Sequence, residues 1–205
     1  MIEKKDTYNT INKPTTGLFK DRGSKFLAFA HPIKDEDDAK LIIDDLKKTY
    51  HDARHHCYAY RLGRDMDNFR ANDDGEPSSS AGKPILNQID ALDLTNVIVV
   101  VVRYFGGTLL GVGGLINAYK NATADALSKA QIINKTIDDV YKVEYSYEAT
   151  NEVLRILNEE KLQQVSAEFN ESCHFLVNIP QNSVNRVILK LQKIESVKTE
   201  YQKTQ

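Results

Sequence analysis

The stretch Val97-Ile98-Val99-Val100-Val101-Val102-Arg103-Tyr104-Phe105-Gly106-Gly107-Thr108-Leu109-Leu110-Gly111-Val112-Gly113-Gly114-Leu115-Ile116-Asn117-Ala118-Tyr119 decides how the chain is organised. Its first six residues are apolar and mostly β-branched, the signature of a central strand covered on both faces. Five glycines (Gly106, Gly107, Gly111, Gly113 and Gly114) then fall within nine residues. After them Leu115, Tyr119, Ala122, Ala126 and Ala130 recur at helical spacing. The unit reads as buried strand, glycine turn, amphipathic helix. Glycine permits positive φ and close backbone approach, and the first N–H groups of the following helix form a natural anion site. A tight crossover explains the same glycines by packing alone, and the stretch by itself leaves both readings open.

Around it lie 205 residues, enough for one large domain or two small ones. Apolar content of 41% and charged content of 27% are ordinary for a globular protein. A net charge of −2 excludes whole-chain basic character, so nucleic-acid binding requires a local patch. The most apolar run, 97–102, is far too short to span a bilayer, and the start Met1-Ile2-Glu3-Lys4-Lys5-Asp6 lacks the apolar segment of a secretion signal. Only Cys57 and Cys173 are present, which argues against a disulfide framework. The expected compartment is the cytoplasm, with no membrane partner.

Residues 1–20 suit a short strand or hairpin broken by Pro14 and Gly17. Residues 24–30 read as a strand with Phe26, Ala28 and Ala30 on one face. Asp35 offers an N-cap for a helix to about Tyr50, its acids at the start and Lys47-Lys48 at the end matching the macrodipole; Ala39, Ile42, Ile43 and Leu46 form its buried stripe. Residues 55–62 alternate as a strand on which His55 and His56 point to opposite faces. The polar segment 63–82 reads as a long ordered surface loop. Pro84 then opens a helix whose Ile85, Ile89 and Leu92 face inward. After Asn134 the pattern changes. Alternation through Tyr141, Val143, Tyr145 and Tyr147, a helix with Val153 and Leu157, strands around 165–169 and 173–179 turning at 170–172, a helix with Val187 and Leu191, and a last strand through Val197, Thr199 and Tyr201 give βαββαβ, the ferredoxin-like split arrangement. The expected class is α+β, with one domain over 1–135 and a second over 136–205.

Candidate chemistry gathers in the loop Asn72-Asp73-Asp74-Gly75-Glu76-Pro77-Ser78-Ser79-Ser80-Ala81-Gly82-Lys83-Pro84. It is not a phosphate-binding P-loop, because Pro84 stands where Ser or Thr would hold magnesium. Asp73, Asp74 and Glu76 offer oxygen ligands without the spacing of a calcium loop, and no Cys or second His run completes a zinc set, so no metal or cofactor is expected. Cys57, on an apolar strand, reads as a small core residue. Lys25, Arg54, Arg61, Lys83, Arg103 and Lys120, with Tyr58, Tyr60, Tyr104 and Phe105, offer contacts to phosphates and bases.

The segments Ala53-Arg54-His55-His56-Cys57-Tyr58-Ala59-Tyr60, Asp73-Asp74-Gly75-Glu76-Pro77, Ala81-Gly82-Lys83-Pro84-Ile85-Leu86, Arg103-Tyr104-Phe105-Gly106-Gly107 and Leu110-Gly111-Val112-Gly113-Gly114-Leu115 together resemble the IMPACT family, in its bacterial YigZ/YvyE branch. The resemblance extends over nearly the whole chain. It implies an amino-terminal domain of the ribosomal-protein-S-five domain-two-like fold and a carboxy-terminal ferredoxin-like domain similar to the last domain of elongation factor G. It implies a connection with translation, the partner being RNA, the ribosome or a translation factor, with no DNA specificity. It carries over His55, Asp73, Asp74, Glu76, Arg103, Tyr104, Gly106, Gly107, Gly111, Gly113 and Gly114. Of these, His55, Asp73, Asp74 and Glu76 are the catalytic candidates if the protein is an enzyme, and Arg103, Tyr104 and the five glycines, joined by Lys83 and Ser80, are the binding candidates. The chain departs from the family at Ser79-Ser80, where Gly-Thr or Ser-Thr is usual, and at Asn117, where an Arg beside the proposed anion site is usual. Two functions are weighed: a translation-associated binding protein, which is favoured, and a phosphate-handling or hydrolytic enzyme using the acidic loop and glycine turn.

Overall fold

The computed structural model of the chain describes residues 6–63, 68–169 and 173–204. The chain divides into two compact units, one spanning Tyr8–Lys135 and the other Thr136–Gln205 together with the chain start. The first carries β1 (Thr7–Ile11), β2 (Thr15–Asp21), β3 (Ser24–Pro32), α1 (Glu36–Thr49), β4 (His55–Leu62) and β5 (Asn68–Asn72). It continues with α2 (Gly82–Ala91), β6 (Val97–Tyr104), α3 (Gly111–Ser128) and β7 (Ile132–Thr136). Five strands form an antiparallel sheet in the order β2-β3-β6-β4-β5, while β1 pairs with β7.

β6 holds the centre because both of its faces are covered, which is why six successive apolar residues suit it. Val97, Val99 and Val101 pack with Phe26, Ala28, Ala59, Ile85, Ile89, Tyr119, Ala122 and Ala126 beneath α2 and α3. Ile98 and Val100 pack on the other side with Ala39, Tyr60 and Leu62, against which Ile42, Ile43 and Leu46 of α1 rest. α1 starts where Asp35 caps it, the Asp38 N–H donating to Asp35 Oδ1 at 2.9 Å, and its acidic first turn and basic last turn complement the helix dipole.

Several expectations change. The segment 63–82 is not one long loop: it contains β5, an edge strand whose residues are exposed except for half-buried Asn72, so no buried alternation betrays it. Leu92 is not inward but 40% exposed, since α2 stops at Ala91; Leu86 takes the inward position. β1 does not form a hairpin with β2. The hairpin is β2–β3, turning at Arg22 and Gly23 with φ of 43° and 80°. Gly113 and Gly114 lie inside α3 rather than in the turn before it, and Ala130 lies just beyond the helix end, partly buried against the core.

The second unit carries β8 (Asp138–Tyr145), α4 (Thr150–Glu159), β9 (Gln164–Phe169), β10 (Cys173–Pro180), α5 (Val184–Leu191) and β11 (Lys198–Thr204). Its antiparallel sheet runs β11-β8-β10-β9, so the fourth, first, third and second strands of the βαββαβ order lie side by side. Val143, Tyr145, Phe175, Val177 and Ile179 meet Val153, Ile156, Leu157, Val187 and Leu191 in its core. Tyr147 does not continue β8; it opens a short 3-10 turn and is 82% exposed. The expected turn at 170–172 lies outside the described residues. Among the described residues no helix is long and apolar enough to cross a membrane.

Candidate functional site

β4, β6 and residues 73–82 converge at one end of the larger sheet. His55 lies opposite Arg103 in the β4–β6 register and Cys57 opposite Val101, so these side chains share the face beneath α2 and α3. His56 and Tyr104, one residue along their strands, take the other face; the Tyr104 hydroxyl donates to Asp52 Oδ1 at 2.7 Å.

Glu76 is the centre of the cluster. Its Oε1 accepts from Arg103 Nη1 at 2.6 Å and from the Tyr119 hydroxyl at 2.7 Å, and the Glu76 and Arg103 side chains are only 4% and 7% exposed. The Arg103 guanidinium also lies over the rings of Phe26 and Phe105, 5.5 and 5.7 Å from their centroids, while its Nε is buried without a partner. Cys57 Sγ stands 3.2 Å from the Tyr119 hydroxyl and 3.0 Å from the Asp73 carbonyl oxygen. Burial pushes the Cys57 thiol well above its ordinary range, against the Tyr119 hydrogen bond, and the Glu76, Asp74 and Asp73 charges reinforce the rise. Burial raises the Tyr119 phenol in the same direction, with the neighbouring Cys57 and Glu76 adding to it. Burial thus favours the neutral form of both groups, and a thiol held protonated is a poor nucleophile.

The acidic loop is shaped by its own carboxylates. Asp73 Oδ1 accepts from the N–H groups of Ala81 at 3.0 Å and Gly82 at 2.8 Å, and Oδ2 from that of Ser79 at 2.8 Å. It thereby caps α2, whose adjacent Ala81 has no side-chain acceptor to offer. Asp74 has φ of 42°; its Oδ2 accepts from the His56 N–H at 2.6 Å, and its carbonyl oxygen lies 2.8 Å from His55 Nδ1. Asp74 Oδ1 is 4.0 Å from Lys47 Nζ. The Ser80 hydroxyl is buried and donates to the Pro77 carbonyl at 2.6 Å.

The glycines answer different demands. Gly106 is forced by packing, since a Cβ there would stand 2.0 Å from the carbonyl carbon of Gly23; its N–H donates to Ser24 Oγ at 3.1 Å. Gly107 and Gly111 supply positive φ of 86° and 71° for the turn into α3. Gly114 fits against the Leu110 side chain. A Cβ on Gly113 would meet nothing within 4 Å.

The fold thus brings together His55, Asp73, Asp74, Glu76 and Arg103. It does not add Tyr104, which faces the other way, or Ser80, whose hydroxyl is turned into its own loop. Lys83 is exposed in the first turn of α2 and lines a groove of about 460 Å³ with Arg61, Phe69, Asp73 and Ser79. Sequence reasoning placed Tyr119 and Cys57 only in the core, without their polar ends; a tyrosine on a buried helical stripe needs a partner for its hydroxyl, and that was the available signal. Among the described residues no group of three or more His, Cys, Asp or Glu side chains is arranged to hold a metal ion.

Residues 22–127 match the family described as the Impact N-terminal domain. The chain is 31% identical over 163 residues to an IMPACT family member of Haemophilus influenzae, covering 78% of this chain and 79% of that one. It is 30% identical over 162 residues to IMPACT family member YvyE of Bacillus subtilis, covering 79% and 75%. A crystal structure described as that of a hypothetical protein, 27% identical, superposes with a TM-score of 0.74 over 97% of this chain and 98% of that one.

Proposed function

The chain belongs to the IMPACT family, and from that premise we propose that it is a translation-associated regulatory protein of the cytoplasm that binds RNA, the ribosome or a translation factor and is not a catalyst. One observation carries the choice between binding and catalysis. Each member of the candidate catalytic set already holds a structural partner within the protein: Asp73 the start of α2, Asp74 and His55 each other's segments, Glu76 both Arg103 and Tyr119. A general base needs a free lone pair within reach of substrate, and a nucleophile needs an adjacent base. Beyond Arg103, at the end of β6, the glycine-rich turn with Phe105 and Leu109 faces outward. The strand order of the smaller unit supports reading it as ferredoxin-like, in keeping with the implied likeness to the last domain of elongation factor G, although fold by itself is weak warrant for function.

The test is co-sedimentation of the tagged full chain through sucrose gradients at low and high salt, with crosslinked RNA sequenced. Association with ribosomes or RNA that weakens steeply with salt is expected where phosphate contacts release counterions, and association that withstands salt is expected for a protein factor. A protein that stays at the top of the gradient at both salts, with no crosslinked RNA and no co-migrating factor, overturns the reading.

A further inference from the structure

We infer that the exposed face made by residues 105–110 and the outer side of α3 docks an amphipathic helix of a partner protein, apolar on its inner side and carboxylate-bearing at its rim. The inference rests on the reading of the chain as a binding protein and assigns the chemistry of one contact.

Residues 104–119 contain no Asp, Glu, Lys, Arg or His, in a chain of which 27% is charged. An exposed helix start normally carries such residues, yet here, beside the uncharged Thr108 and Asn117, the exposed large side chains are Phe105 (43%), Leu109 (81%), Val112 (52%) and Ile116 (40%). Val112, Gly113 and Ile116 share one side of α3 by their three- and four-residue spacing, and Leu109 lies in the turn that precedes the helix. An exposed apolar stretch depleted of charge has the composition of an interface core.

Gly113 is an independent observation. It sits within α3 without a positive φ, and a Cβ there would meet open space, so nothing inside the protein requires glycine. Glycine is the least favourable residue after proline within a helix, so this position sacrifices stability. The space it leaves lets another backbone approach between Val112 and Ile116. Charge selects the partner. A nucleic acid needs cations along its track, and residues 104–119 supply none. Lys120 is exposed one turn beyond Ile116, and α3 begins without an acidic residue or a side-chain cap, leaving its dipole uncompensated. An apolar helix with acidic edges complements both.

A photocrosslinking amino acid is placed at Leu109 in the full chain, and at Leu41, 63% exposed on α1, as the control. Cells producing each form are irradiated, extracts are treated with or without nuclease, and the adducts are mapped by mass spectrometry. The expected result is a nuclease-resistant adduct at position 109 alone, mapping to an amphipathic helix with acidic edges. A synthetic peptide of the mapped sequence is then titrated against the protein. Leu109→Glu should weaken binding by tenfold or more with the unfolding midpoint unchanged. Gly113→Ala should raise the midpoint and weaken binding by a similar factor. Adducts to RNA, to a second copy of the chain, to a segment of other character, or none at all overturn the inference, as does a Gly113→Ala protein that binds the peptide normally. Gradient association without the adduct removes this inference and leaves the binding function standing. A helix adduct on a protein unconnected with ribosomes or translation factors does the reverse.

Discussion

Removal of Glu76 should be the most damaging single truncation of a polar side chain in the larger unit. In Glu76→Ala the Arg103 guanidinium, 7% exposed, keeps its charge and loses its counter-ion, and the Tyr119 hydroxyl loses its acceptor. Breaking a buried pair from one side costs about 3–5 kcal/mol, and an orphaned buried hydroxyl about 1–3 kcal/mol more when no substitute is found. Cys57 and solvent entering the vacated space offset part of this, so the expected loss is about 4 kcal/mol, a large share of the roughly 5–15 kcal/mol that holds a domain together. Glu76→Gln keeps an acceptor for both donors and forfeits the charge, and should lose about 2 kcal/mol, since charge-assisted bonds are roughly twice as strong as neutral ones. Urea unfolding followed by far-ultraviolet circular dichroism measures both variants. The double variant Glu76→Leu/Arg103→Met should recover most of the loss, because an apolar pair removes the stranded charge along with its partner. If Glu76→Ala falls within about 1 kcal/mol of the parent, the pair behaves as an exposed one and the account of this cluster is wrong.

Three further outcomes follow from the same geometry. Asp73→Ala strips the acceptor from three backbone N–H groups at the start of α2 and should destabilise by about 2 kcal/mol, with Asp73→Asn retaining most of the stability; hydrogen exchange at Ala81 and Gly82 reports it directly. Gly106→Ala should fail to accumulate as folded protein because its Cβ collides with the Gly23 backbone, whereas Gly107→Ala meets no atom and should cost only about 1–2 kcal/mol for its positive φ; expression and thermal melts of the two separate steric exclusion from conformational strain. Burial holds the His56 imidazole below its ordinary 6.5, with Asp74 opposing the shift and Lys47 reinforcing it. The unfolded chain therefore takes up this proton first, so the stability due to neutral His56 is complete above about pH 6.5 and is lost as pH falls through the depressed value. Denaturant titrations across that window should show a decline that His56→Gln flattens; an unchanged slope would leave His31, lowered by burial in the same way, as the source.

What the sequence disclosed depended on whether the cause lay close along the chain. β6 was legible because coverage on both faces writes itself as an unbroken apolar run, and α1 because Asp35 and the flanking charges are local signals. β5 was not, since an edge strand exposed along its length leaves no alternation. Asp73 escaped as a cap because it lies eight and nine residues before the N–H groups it satisfies, outside the three-residue spacing of a capping box. The resemblance marked Glu76 and Arg103 as important but said nothing of their mutual pairing, which spans 27 residues, or of Tyr119, which stands 43 residues from Glu76. Likewise the five glycines were visible as a cluster, but only three-dimensional placement separates the one pressed against Gly23 from the one that touches nothing.

The ribbon of β1 and β7 closes the larger unit on itself. The Asn12 N–H donates to the Gln131 carbonyl at 2.9 Å, their side chains bond at 3.1 Å, and Asn134 Nδ2 donates to Asn9 Oδ1 at 3.1 Å. The two ends of this unit therefore meet at one seam, and everything between them is a loop of chain tied at its neck. A short linker joining Lys135 to Tyr8 would complete a circle, so a permuted chain opened at an exposed turn elsewhere in the unit is expected to refold around the same sheet. Tension drawn on both ends at once would act on the seam first and peel its bonds in succession, which makes this ribbon the clasp of the unit.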